Sequence, residues 1–401
     1  MNIIRHAWIL SLTVMSAFAG DSYNWQGELQ LKLEGFAAQT TGGYGGIIYT
    51  VTNNRDYQAG SQNEVPGSLR YGIEKSDPTK PLWVKFNLPV ASKKILLLRP
   101  IDLRSNMSLD GRNQDVTIAS LADWSHYYIS NVDAAGNLLA GSKRAQCDVI
   151  LNKGYVETFL LVLNRVKNVI ITGLNFDRDN FYGQVDWEKK YPNFDKQCLG
   201  DLISIYNDSK ASANFIDNIW IHGNTFQKCG DGCIDMVRPD TKAQRISISE
   251  NSFNQTDKTM ILGTPYDAYT VLDPSTGKLT TNIPRDSAKY YYRVSLYRNT
   301  FNQVHERNPR VSFALVHMYD NTFLDWTMYL VFADQSKVFY EKNKHRNSLN
   351  RPVVLSSSLA SGSVYSYLNV DMNNQPVANL TDLSGYTAYR DKWITYSFSG
   401  K

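Results

Sequence analysis

Six side chains in the middle of the chain have the types and spacing to act on an acidic substrate: Asp201, Asp231, Asp235, Lys258, Arg307 and Arg310. The stretch Asp231-Gly-Cys-Ile-Asp235 sets two carboxylates at even spacing, which puts both on one face of a strand. A fully extended strand would hold them roughly 13 Å apart, at about 3.3 Å per residue, too far to share one ion. Gly230 and Gly232 flank Asp231 and allow the chain to bend. Asp231 can then curl back toward Asp235. Asp201 opens a strand phrase one rung earlier and is expected to stack beside Asp235. Crowded carboxylates repel unless a cation sits among them, and hard oxygen ligands in a partly hydrated cluster suit calcium. Taken alone, such acids also fit a solvated sheet face. Lys258 follows one strand phrase and Arg307 another, so the repeat carries both to the side of the acids. Together these groups would line a groove for an acidic sugar polymer. By themselves the basic residues could equally be surface charges.

The elements that must position these residues are visible as a repeat. Segments 168–176, 218–226, 245–253, 293–301 and 314–323 share one phrase. Apolar residues alternate with others for several positions, which is strand periodicity. Asn-Thr-Phe or Asn-Ser-Phe then closes four of the five, and the Asn is expected to take the turn conformation. Phe226 and Phe253 are 27 residues apart, and Phe301 and Phe323 are 22 apart. The intervals of 50 before Phe226 and 48 before Phe301 read as two periods each. Asp201-Leu-Ile-Ser-Ile-Tyr206 reads as a strand missing from the first long interval. A period in the twenties predicts a solenoid whose like residues stack as Asn and Phe ladders. The fold class is all-β, a right-handed parallel β-helix. A β-sandwich would call for Asn-Gly or Asp-Gly hairpin turns between adjacent strands, and these are scarce. Gln26–Gly35 is expected to form a short capping helix. Tyr182–Gln197 and Tyr266–Lys289 read as long loops, and Ser356–Lys401 as a segment packed along the outside.

The chain has 401 residues, 42% hydrophobic and 20% charged, with a formal net charge of +4. That composition is ordinary for a globular protein, and so weak a charge says little about partners. Arg5, the apolar run Ala7–Ala19 and the ending Ala17-Phe-Ala19 read as a signal peptide over residues 1–19. A single exported domain over 20–401 is expected, acting extracellularly as a monomer, with neither nucleic acid nor membrane as partner. Cys147, Cys198, Cys229 and Cys233 fit one or two disulfides in that compartment better than a metal site. Asn106, Asn207, Asn254 and Asn379 match the glycosylation acceptor pattern.

The chain resembles the extracellular pectate lyases, a family of parallel β-helix polysaccharide lyases. The likeness rests on Gly35–Gly46, Val65-Pro-Gly-Ser-Leu-Arg-Tyr71, Leu109-Asp-Gly-Arg112, Asn168–Phe176, Trp220–Gly263, Arg307-Asn-Pro-Arg310 and Asp325-Trp-Thr-Met-Tyr329. It implies calcium held by Asp201, Asp231 and Asp235, and Lys258 on the substrate carboxylate. It implies Arg307 as the base that removes the C5 proton, with Arg310 as a basic contact beside it. The implied reaction is β-elimination on polygalacturonate, giving 4,5-unsaturated oligogalacturonides. The chain departs from the family pattern at Leu199, where a further acid is usual, at His222-Gly223, where Asp-His is usual, and at Ser312, where a second arginine is usual. His222 and His317 read as groove or ladder residues. Competing readings are a lyase for methyl-esterified pectin or another uronate polymer, and a carbohydrate-binding β-helix without turnover. A hydrolase would need paired acids, and the chain has no adjacent Asp-Asp and no Gly-His-Gly.

Overall fold

The computed structural model describes residues 25–57, 64–120, 159–177, 200–207, 214–229, 232–240, 242–263, 271–272, 279–280, 291–334, 336–346, 351, 353–356, 363–377, 380 and 382–398. The chain divides into two compact units, Met1–Lys32 and Leu33–Lys401. The expected short helix is present in the first, at Trp25–Gln30. Among the described residues no helix is long and apolar enough to cross a membrane.

In the second unit the chain winds into a right-handed parallel β-helix. Ten, nine and eight strands form three sheets, and every pairing within them is parallel among the described residues. One coil shows the plan. Asp217–His222 lies in the ten-stranded sheet, Thr225–Gln227 in the nine-stranded sheet and Ile234–Val237 in the eight-stranded sheet. Gln244–Ser249 then returns to the first sheet, beside Asp217–His222. Each coil thus carries three strands, where the sequence phrase alone suggested one. Asp201–Tyr206 belongs to this scheme, but its strand Ile203–Tyr206 joins the eight-stranded sheet rather than the sheet of the repeated phrases.

Inward residues such as Ile219, Ile221, Ile234, Met236, Ile246 and Ile248 are fully buried. They form one continuous apolar core through the coils. The Phe ladder is as expected. Phe176, Phe226, Phe253, Phe301 and Phe323 stack with ring centroids 5.1, 5.0, 4.9 and 4.7 Å apart. The intervals of 50 and 48 residues therefore each span one coil, not two. The additional residues fall between the strands Leu174–Asp177 and Ile203–Tyr206, and between Met260–Leu262 and Tyr292–Tyr297. Tyr182–Gln197 lies outside the described residues. Of Tyr266–Lys289, a two-strand antiparallel ribbon, Val271–Leu272 with Leu279–Thr280, is described.

A buried Asn ladder runs beside the Phe ladder through Asn224, Asn251, Asn299, Asn321, Asn343 and Asn369. Asn251 Oδ1 accepts from the backbone N–H of Asn224 at 2.9 Å, and Asn299 Oδ1 from that of Asn251 at 3.0 Å. Each side-chain amide also donates to a strand carbonyl of the preceding coil, as Asn299 does to Ile248 at 2.9 Å. The turn conformation falls one residue earlier than expected. Gly223, Glu250, Arg298, Asp320, Lys342 and Leu368 have φ between 51° and 61°. Stacked hydrogen bonding holds each Asn in register, and the preceding residue bears the left-handed backbone. Gly223 suits that position because it has no Cβ.

The outer face of the ten-stranded sheet is covered by both ends of this unit. Phe36, Ala37 and Gly43 donate backbone N–H groups to the hydroxyls of Ser295, Ser247 and Ser108. The expected C-terminal packing occurs after one further coil. Val354–Ser356, Ser363–Tyr367 and Val370–Asp371 extend the three sheets. Helix Tyr386–Arg390 and the segment through Phe398 then pack on Tyr297, Leu315, Tyr319 and Phe339.

Candidate active site

Four consecutive strands of the eight-stranded sheet carry the candidate residues: Ile203–Tyr206, Ile234–Val237, Met260–Leu262 and Arg310–Ser312. Asp201, Lys258 and Arg307 lie just before the first, third and fourth of these, at the edge where the chain enters the sheet. Asp235 is the second residue of its strand. Register places Ser204, not Asp201, opposite Asp235. The expected stacking of Asp201 beside Asp235 is therefore offset by three residues. The two carboxylates nevertheless converge. A Cβ placed on Gly232 would lie 2.5 Å from Asp235 Oδ1 and 3.0 Å from Asp201 Oδ1. Only a residue without a side chain leaves room for both oxygens to face this space. Both acids are nearly buried, at 7% exposure for Asp201 and 5% for Asp235. Asp235 is oriented by the Ile261 N–H, which donates to its Oδ1 at 2.9 Å. Asp231 and Leu199 lie outside the described residues, as do Cys147 and Cys198. Cys229 and Cys233 form a disulfide with Cα atoms 5.0 Å apart, just before the strand bearing Asp235.

The two basic residues follow on the next rungs. Lys258 pairs in parallel with Glu306, and Met260 N–H donates to the Arg307 carbonyl at 2.8 Å. Arg307 adopts φ 60°, a left-handed conformation uncommon for a residue with a side chain. Asn308, fully buried, anchors the next position. It accepts from the Thr259 hydroxyl of the preceding rung and donates its amide to the Tyr329 carbonyl of the following one at 3.3 Å. The Asn308–Pro309 bond is cis. Arg307 Nε lies 3.8 Å from Glu306 Oε1, and the Tyr329 hydroxyl donates to Glu306 Oε2 at 3.3 Å. Burial, reinforced by the Glu306 charge, pushes the Tyr329 hydroxyl up to about 12, so it remains a donor at neutral pH. Arg310 stands two rungs from Asp235 in one column, with Ile261 between them. Asn308 and Tyr329 stand in the family-like stretches 307–310 and 325–329, whereas Glu306 stands in none. What each touches depends on which rungs become neighbours.

His222 and His317 are not on this sheet. His222 stacks on Trp220 at 4.5 Å and meets Ser249 Oγ at 3.0 Å, on the ten-stranded sheet. His317 is buried on the same sheet, 2.6 Å from Glu341 Oε1 and 2.7 Å from the Tyr396 hydroxyl. Asn207, one of the glycosylation matches, is buried, and its amide donates to Gln244 Oε1 at 2.8 Å.

Carboxylates, a lysine and two arginines on successive rungs of one parallel sheet form an arrangement that can bind a polymer of acidic sugars. Residues 141–400 match the pectate lyase family model. The chain belongs to the pectate lyase family. It is 27% identical over 314 residues to "Probable pectate lyase 16" of Arabidopsis thaliana, with 78% of this chain and 61% of that protein covered. It is 28% identical over 324 residues to pectate lyase 1 of Cryptomeria japonica, covering 79% of this chain and 66% of the relative. The chain thus spans a little under two thirds of the length of these pectate lyases. The structure of jun a 1, the major allergen from cedar pollen, shares the fold at a TM-score of 0.58 and 22% identity, covering 92% of this chain and 91% of that one.

Proposed function

We propose that this chain is a secreted, calcium-dependent pectate lyase that cleaves polygalacturonate by β-elimination. The observation that carries the reading is the convergence of Asp201 and Asp235 on Gly232, with Lys258 and Arg307 on the next two rungs. A paired-carboxylate cradle of this kind fits a hard divalent ion, and Asp231, two residues before Cys233 of the disulfide, would supply a third carboxylate. Bound there, calcium would supply positive charge to the substrate carboxylate. Lys258 would bind the carboxylate of the sugar that loses its C5 proton and stabilise the charge that develops on it. Arg307 would receive that proton, so its guanidine must enter the step uncharged, which is unfavourable in water. The electron pair left at C5 forms the C4–C5 double bond as the C4 oxygen departs, and no water is consumed.

The test is a panel of polygalacturonate, esterified pectin and alginate, with and without a calcium chelator, followed by absorbance of the unsaturated product. Activity on polygalacturonate that vanishes with chelation is expected. Saturated products would sink the reaction class. Turnover of esterified pectin that survives chelation would replace the substrate and the metal. Binding without turnover on every polymer would leave a carbohydrate-binding protein.

A further inference from the structure

Arg310 differs from Arg307 in what holds it. Glu306 faces Arg307, whereas no carboxylate lies within ion-pair distance of Arg310 among the described residues. Register instead sets Arg310 beside Phe332, on strand Val331–Asp334 of the same sheet. The guanidinium carbon sits 5.0 Å from the centre of the Phe332 ring. The Tyr329 ring lies 5.9 Å from that of Phe332. Arg310 Nε is shielded from solvent and meets no acceptor among the described residues.

We propose that Phe332 is a specificity-determining positioning residue that stacks Arg310 and aims its fork at the carboxylate of a de-esterified uronate, one subsite along the groove from Lys258 and Arg307. An aromatic face attracts a guanidinium through the ring quadrupole and consumes none of its in-plane N–H donors. A protein carboxylate would instead occupy the in-plane edge, which is the edge that recognises a carboxylate bidentately. Stacking therefore fixes the orientation of Arg310 and keeps its donors available to an external anion. Arg310 and Asp235 are two strands apart in one column, about 10 Å at 4.7–4.9 Å per strand. That separation suits recognition of a neighbouring sugar rather than the one that loses its proton. A methyl ester at this subsite would remove the charge and one acceptor, and the groove should discriminate against it.

The inference rests on the groove assignment made above, so its test reads binding rather than turnover. Calorimetry with full-length protein would compare trigalacturonate with its methyl-esterified form. Arg310→Ala should weaken trigalacturonate binding roughly tenfold, as expected for a lost charged hydrogen-bond pair, and erase most of the preference over the ester. Phe332→Leu keeps the apolar volume but not the ring, and should weaken trigalacturonate about threefold while leaving the ester unchanged. Phe332→Tyr should restore the original affinity. Equal affinities for Phe332→Leu and the unaltered chain, with both proteins folded, would overturn the positioning role. Unchanged binding in Arg310→Ala would overturn the subsite. Trigalacturonate binding with the predicted variant pattern but no lyase activity would uphold this inference while sinking the proposed reaction.

Discussion

Two edges of the same coils are built on opposite rules. Along the Asn ladder, and along the Phe ladder from Phe176 to Phe323, each rung repeats its neighbour, and each ladder amide meets the equivalent group one coil away. At the entry edge of the eight-stranded sheet successive rungs carry Asp201, Asp235, Lys258 and Arg307; among the described residues no two like charges meet in register there, and Lys258 faces Glu306. The contrast teaches what stacking permits. A neutral amide can donate to its copy and accept from the next, so a column of them is self-satisfying. A column of like charges repels itself. A charged site on a β-helix must therefore break the repeat, and here the break also shows in the backbone, where Arg307 is left-handed.

The sharpest way to break the comparison is at Arg307. Arg307→Ala should lower kcat on polygalacturonate at least about 100-fold, the scale of lost transition-state groups, and leave the unfolding midpoint nearly unchanged. A large loss of stability with little loss of kcat would mean that the two edges do not divide the labour in this way.

The converse change is Asn299→Ala. It removes the donors to Ile248 and Asn321 and leaves the Asn251 N–H without its acceptor. Urea unfolding should show a cost of about 2–4 kcal/mol, with kcat per folded molecule unaltered at saturating substrate.

The smallest effect lies at the end of the Phe ladder, where His345 takes the next place and stacks on Phe323 at 5.4 Å. Burial lowers its value from 6.5 to about 4, only partly offset by the Val370 carbonyl. The unfolded chain takes up a proton below pH 6.5 that the native state refuses until about pH 4. The associated stability is therefore complete above pH 6.5 and is lost as the pH falls through that window, by up to about 3 kcal/mol. Titrating the thermal midpoint from pH 7 to 4 should show a steeper fall for the unaltered protein than for His345→Phe. Parallel curves would show that the ladder tolerates a charged rung.

The fold was legible because ladders force repetition, and repetition survives in the sequence as Asn-Thr-Phe. The period is not legible across the two long intervals, since extra residues within one coil and a whole extra coil give similar lengths. The left-handed position was assigned to Asn because Asn tolerates it; the ladder hydrogen bonds, invisible to local propensity, moved it to the residue before. At the site, Asp201, Asp235, Lys258 and Arg307 fall on consecutive rungs, while Asp231 lies outside the described residues. The three-residue offset of Asp201 was not legible, because register is settled by the inward apolar residues and not by the acids. Glu306 meets Tyr329, and Phe332 meets Arg310, across rungs 23 and 22 residues apart in sequence, and no local pattern announces either contact.

The Asn ladder has one further consequence. Its intervals are 27, 48, 22, 22 and 26 residues, yet each advances the column by a single step. The ladder therefore works as a counter of turns that is indifferent to path length. Segments can grow or shrink elsewhere on the circuit without shifting any rung against its neighbours. That freedom lets the groove edge and its loops diverge while the placement of the charged residues along the axis stays fixed.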